Sequence, residues 1–254
     1  MNAVTEADWV LIAAAFFGGG LVKGVLGIGL PLICVPALAT FRGPLEAIAL
    51  MVVPTVTSNV MQARQAGLNR DAFLRFWPAA LGVLVGASLG ATILSEVDTR
   101  TASVVLAIVV VLFCASQFLS ALPAVSARSE RWFTPIAGAS SGFAGGMTGF
   151  LGLTLVPYLL SLRLRKEEFV ATIAMLYLFG VAALYVTLLI QGVFTWRLVG
   201  VSLVASGPTL LGVWLGSLVR RRVSEARFRK LLVVLLLLIA VNLLRQVFFG
   251  PGLA

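Results

Sequence analysis

The stretch GGGLVKGVLGIGLP, from Gly18 to Pro31, sets six glycines and one lysine inside an otherwise apolar run. It has a counterpart in GASSGFAGGMTGFLG, from Gly138 to Gly152, with six more glycines. Around these two stretches hydropathy divides the chain into eight apolar segments, at 9–40, 44–62, 72–95, 101–122, 132–162, 168–190, 196–219 and 227–249. The glycine stretches lie within segments one and five, which are too long to cross a membrane straight. A helix of 32 residues runs about 48 Å, against a hydrocarbon core of about 30 Å, so each must tilt, break or turn back. Glycines permit helix ends and close backbone approach, so the clusters favour a break.

Composition agrees with a membrane setting. Of 254 residues, 60% are hydrophobic and 11% charged, against about 25% charged in soluble domains, and the mean hydropathy is +1.05. The formal charge of +9 comes from basic residues between apolar segments. It therefore reads as a topology signal and not as a nucleic-acid surface. With no histidine, and with Cys34 and Cys114 each inside an apolar stretch, neither a zinc site, a disulfide framework nor His-based catalysis is encoded. The run GVLGIG has the wrong spacing for a dinucleotide fingerprint. No cofactor, metal or enzymatic activity is expected. The N-terminus, MNAVTEADW, is acidic where a leader would be basic, so no cleaved signal is expected.

The two halves repeat. Gly24 and Pro36 match Gly145 and Pro157 at an offset of 121, while VGASLG at Val85–Gly90 returns as LGVWLG at Leu211–Gly216 at an offset of 126. GLNR at Gly67 aligns with GVFTW at Gly192, and Glu46 with Glu167. The fold class expected is therefore an all-α membrane protein: one transmembrane domain over 1–254, made of homologous repeats 1–127 and 128–254. If all eight segments span, the basic residues divide seven against eleven. If segments one and five are re-entrant hairpins, fourteen collect on one side and only Arg42, Arg100, Arg197 and Arg245 remain on the other. The stronger positive-inside bias favours hairpins, three spans per half and an inverted repeat. Both arrangements put the two termini on the non-cytoplasmic side.

Broken helices at membrane depth expose backbone that only buried protein or a polar cavity can satisfy, and helix N-termini facing such a cavity attract anions. Lys23 is the only formal charge between Asp8 and Arg42. A lone ammonium there costs several kcal/mol unless partnered. Two readings remain open: it reaches an interface or caps backbone carbonyls, or it binds an anion. Thr55, Ser58, Asn59 and Gln62 share one helical face, and Asn59 stands out because a buried amide must find partners. Ser140, Ser141, Thr148 and Tyr177 also fall at depth. The substrate-binding residues expected are Lys23, Gly24, Gly27, Gly29, Thr55, Asn59, Ser141, Gly145, Gly146, Thr148 and Gly149. The spacings Gly82, Gly86, Gly90 and Gly212, Gly216 read as helix packing. No carboxylate occupies a span centre, which disfavours a carboxylate proton relay and a cation permease.

The pairing of GGGLVKGVLGIGLPLICVPAL with GASSGFAGGMTGFLGLTLVPYLL resembles the TauE/SafE family of sulfite and organosulfonate exporters over nearly the whole chain. The markers are the glycine-rich run followed by proline in both halves, the pairs Gly86 with Gly90 and Gly212 with Gly216, and the glycine-aromatic turn at Gly192 and Trp196. The resemblance implies a permease of the bacterial or archaeal inner membrane that moves small sulfur anions such as sulfite, sulfoacetate or thiosulfate. The chain departs from the pattern in the first half, where Pro31 follows GIGL directly and the turn GLNR lacks a tryptophan. That makes the two hairpins unequal. The partners expected are the lipid bilayer and a small anion, with no nucleic acid; a homo-oligomer is left open. From another class stands the alternative of a membrane-embedded assembly or scaffold subunit with no transport activity of its own, its glycines serving packing alone.

Overall fold

The computed structural model describes residues 6–67, 70–116 and 126–219, together with Val241 and Arg245. The eighth apolar segment, apart from Val241 and Arg245, and the end of the fourth lie outside the described residues. Within them the chain is all-helical, with ten helices and no strand: α1 (Glu6–Leu26), α2 (Leu30–Arg42), α3 (Pro44–Leu50), α4 (Val52–Ala66), α5 (Arg70–Glu96), α6 (Thr99–Ser116), α7 (Ala127–Thr148), α8 (Gly152–Ser161), α9 (Lys166–Ile190) and α10 (Trp196–Val219). Five of these, α1, α5, α6, α9 and α10, are long and apolar enough to cross a membrane, and the bent pair α3–α4 makes a sixth if taken as one span.

Segments one and five are both interrupted at their glycines. α1 stops where Gly27 takes a left-handed conformation, φ 85°, and its N–H bonds to the Lys23 carbonyl at 2.8 Å. α7 stops the same way at Gly149, φ 74°, bonded to the Gly145 carbonyl at 2.7 Å. These are left-handed helix stops of the kind glycine adopts without a Cβ penalty. Beyond each stop the chain folds back on itself. Cys34 Sγ donates to the Ala15 carbonyl at 3.2 Å, and Ile12 and Arg42 border a single cleft, so α2 runs antiparallel along α1. Along α8, Thr154 Oγ1 donates to the Ala137 carbonyl at 3.1 Å, and the Tyr158 hydroxyl pairs with that of Thr134.

Segment two holds an unexpected break. It divides at Met51 into α3 and α4, bent by 45°. Pro54 supplies the reason, because it lacks the N–H that would bond the Leu50 carbonyl and its ring crowds that oxygen.

The most extensive helix contacts join α5 to α7 and α1 to α10, and both are glycine-on-backbone contacts. A Cβ at Gly212 would strike the Phe17 carbonyl and lie 2.8 Å from the Leu21 nitrogen; one at Gly86 would strike the Ala139 carbonyl and lie 2.7 Å from the Phe143 nitrogen. Phe17 and Ala139, like Leu21 and Phe143, are 122 residues apart, and Gly86 and Gly212 are 126 apart. Gly24 against Gly216 recurs as Gly146 against Gly90. The same interlock therefore occurs twice, α1 packing on α10 and α7 on α5. The contacts match Gly24 to Gly146, one residue past the Gly145 expected from the proline spacing. The second half is one residue shorter between its helix stop and its proline, nine positions from Gly27 to Pro36 against eight from Gly149 to Pro157. Beside the glycine contacts, Leu81, Val85 and Leu89 on α5 and Leu203, Val204 and Leu211 on α10 are exposed, as lipid-facing side chains of a membrane helix are.

Candidate functional site

The last turn of α1 carries Lys23 into contact with α4. Lys23 is 2% exposed, and its Nζ donates to Asn59 Oδ1 at 2.7 Å. The amide is oriented for that role because Asn59 Nδ2 is tied to the Thr55 carbonyl one turn back at 2.8 Å, which leaves its oxygen for the cation. From α9, the Tyr177 ring stands with its centroid 5.7 Å from Lys23 Nζ, within the range at which a ring face attracts a cation. Gln62, one further turn along α4, donates from Nε2 to the Gly27 carbonyl at 2.7 Å. The buried cation is thus held by a neutral amide and an aromatic face, and no carboxylate pairs with it among the described residues.

Several polar atoms around this cluster are buried and have no hydrogen-bond partner: Thr55 Oγ1, Gln62 Oε1, Tyr177 Oη and, further along α9, Thr172 Oγ1. Thr55 has the Tyr185 hydroxyl as a polar neighbour, and that hydroxyl bonds the Ile48 carbonyl at 3.2 Å. Native interiors leave few such atoms unpaired, and each costs about 1–3 kcal/mol. Tyr177 Oη lies beside the start of α8, where a Cβ on Gly152 would come within 2.9 Å of it. Neither α2, beginning after Gly29 (φ 110°), nor α8, beginning after Leu151, has a side-chain cap. Both helix N-termini therefore keep backbone N–H groups without a side-chain partner, as an anion requires.

The expected site residues divide in two. Lys23, Asn59 and Thr55 come together, and Gly27 and Gly29 form the break beside them. Gly24 and Gly146 instead press against the backbones of α10 and α5. In the second half, Gly145 faces the Leu151 side chain and Ser141 donates to the Leu151 carbonyl. Thr148 bonds the Ala144 carbonyl of its own helix at 2.7 Å, and Gly149 ends α7 against Val35 and Ile48. Gln62 and Tyr177 join the cluster although sequence reasoning left them out of the binding set. The helical spacing 55, 59, 62 signals Gln62. Tyr177 is signalled only as a polar residue at membrane depth; its approach to Lys23, across 154 positions, is not signalled locally. Cys34 and Cys114 are both buried, and among the described residues no cluster of His, Cys, Asp or Glu could hold a metal.

Apolar helices of membrane-crossing length around a sealed polar cluster define a multi-span helical membrane protein. The chain belongs to the sulfite exporter TauE/SafE family, whose model matches residues 11–243, and is with it a membrane transporter. Comparison with curated proteins and with solved structures finds no match.

Proposed function

We propose that the chain is a secondary permease for small sulfur-containing anions, such as sulfite, sulfoacetate or thiosulfate, bound beside Lys23 where the two broken segments meet. The observation that carries this reading is the Lys23–Asn59 pair, a buried cation that lacks an anionic partner among the described residues and is surrounded by unfilled polar atoms. An anion there would supply the missing charge and the missing acceptors at once. The uncapped starts of α2 and α8 would add dipoles of the right sign. The folded-back pairs α1–α2 and α7–α8 act as re-entrant hairpins in repeats 1–127 and 128–254, related as an inverted repeat. The protein sits in a bacterial or archaeal inner membrane with both termini on the non-cytoplasmic side.

Only the first half carries the charge. At the offset of 122, the place of Lys23 is taken by Gly145, and at 121 the place of Asn59 is taken by Gly180. Both glycines face the Leu151 side chain. A leucine thus fills in one half the volume that a lysine–amide pair fills in the other, so one anion is bound per chain. Lys23, Asn59 and Tyr177 are 1–2% exposed. Ligand entry therefore requires one hairpin to move against the other repeat, which is alternating access.

Thermal unfolding of the detergent-purified protein in the presence of sulfite, thiosulfate, sulfoacetate, sulfate or chloride tests the site, because a ligand of the folded state raises its stability by mass action. The expected result is a rise in Tm with a sulfur oxyanion that disappears in Lys23→Gln at similar folded yield. A rise that persists in Lys23→Gln removes the residue from the site, and no rise with any anion favours the scaffold reading.

A further inference from the structure

Gln62 is bound at one end of its amide and unfilled at the other. Its Nε2 donates to the Gly27 carbonyl at 2.7 Å, and turning the amide over would set two acceptor oxygens against each other. Its Oε1 therefore points elsewhere, buried and without a partner. This is the wrong polarity for an anion: Lys23 offers protons, the Tyr177 hydroxyl and the Thr55 hydroxyl can offer theirs, but Gln62 Oε1 can only receive one. A ligand made entirely of acceptors would leave that oxygen orphaned, at a cost comparable to a lost hydrogen bond.

We infer that the ligand is a monoanion carrying one hydrogen-bond donor of its own, its negative oxygens facing Lys23 and Tyr177 and its proton given to Gln62 Oε1. The inference rests on the anion-transport reading above and narrows it. For sulfite the bound form is hydrogensulfite and not the dianion. Charge agrees with polarity, since one buried ammonium balances one negative charge, and a second would stay uncompensated in a low-dielectric interior. Among the described residues, the other charged or titratable groups on elements packed against α4 are few. α9 brings Tyr177 and Tyr185, with Lys166, Glu167 and Glu168 in its first turn, Glu168 lying 3.5 Å from Arg75; α3 brings Glu46, paired with Arg42 at 3.4 Å; α10 brings Arg197, at the cleft that Arg42 borders. On α4 itself, Arg64 lies two positions past Gln62 and is exposed.

The test is calorimetric titration of the purified full chain with sulfite and with methanesulfonate, over a pH range that brackets the protonation of sulfite. Methanesulfonate has the same single charge, no proton to give, and no titration in that range, so it reports any pH response of the protein itself. The expected result is that, once the dianion predominates, the Kd for total sulfite rises about tenfold per pH unit beyond any rise in the Kd for methanesulfonate, because only the protonated fraction is competent. Gln62→Leu is expected to weaken hydrogensulfite about tenfold and to relieve methanesulfonate of the orphaned oxygen, bringing the two together. Sulfite binding that is level with pH, or that tightens as the dianion forms, overturns the inference while leaving an anion site in place. Binding of neither probe overturns the anion reading and this inference with it. The pH comparison on the unmodified chain decides the matter even where Gln62→Leu fails to fold.

Discussion

An ammonium inside an apolar helix needs acceptors, and Lys23 finds its acceptor in an amide 36 positions away, whose own nitrogen is secured on its own helix. Hydrogen bonds to charged groups contribute about 1.5–3 kcal/mol, and removing one partner strands the other. Asn59→Leu is accordingly expected to destabilise the protein by about 2 kcal/mol, with Lys23→Met/Asn59→Leu costing less than the sum of the two single changes. A double-mutant cycle on unfolding in detergent reads that coupling, and additive losses would mean the two side chains do not interact. Much of this was legible in the sequence. Lys23 was the one charge in its segment, and Asn59 was an amide that had to find a partner. Their meeting was not legible, because it depends on how α4 lies across the end of α1. The same holds for Tyr177, since nothing in its local sequence separates a ring against a cation from a ring in a core.

At the scale of elements, the glycines of α5, α7, α1 and α10 do two different things that composition alone does not separate. Gly27 and Gly149 stop helices, a role their positive φ requires. Gly86, Gly90, Gly212 and Gly216 let backbones touch, as their four-residue spacing predicted. Gly24 and Gly146, beside the breaks, make backbone contacts of the second kind. Two changes on α10 separate packing from propensity. Gly212→Ala drives a Cβ into the Phe17 carbonyl and is expected to cost about 1–3 kcal/mol. At Gly200, a Cβ meets nothing within 4 Å, and Gly200→Ala is expected to gain about 0.5–1 kcal/mol from helix propensity. Thermal unfolding of the two variants checks the contrast, and equal effects would remove close packing as the reason for the glycine at 212. The breaks in segments one and five were readable because apolar runs of 32 and 31 residues overshoot the bilayer. The bend at Met51 was not, since its cause is a single proline three positions on whose effect depends on how the segment is packed.

For the whole molecule, the central claim is that the two halves interlock through their broken helices around one anion site. The duplicated contacts recur at offsets of 122 and 126, whereas the imbalance between Lys23 with Asn59 and a leucine appears only when the chain is folded. Orientation in the bilayer is the consequence of the proposed hairpins that labelling tests. With re-entrant hairpins, cysteines placed at Gln65 and Ser126, both exposed, are expected to be shielded from an impermeant external thiol reagent and one at Asp98 to be labelled; the native Cys34 and Cys114 are buried. Labelling at Gln65 with protection at Asp98 would restore eight full spans. The most direct test of the transport claim is sulfite flux into proteoliposomes containing the purified chain. The account predicts saturable flux that Lys23→Gln abolishes while the protein remains folded and inserted. Liposomes with the unmodified chain that pass sulfite no faster than empty ones, or flux that Lys23→Gln leaves intact, would contradict it.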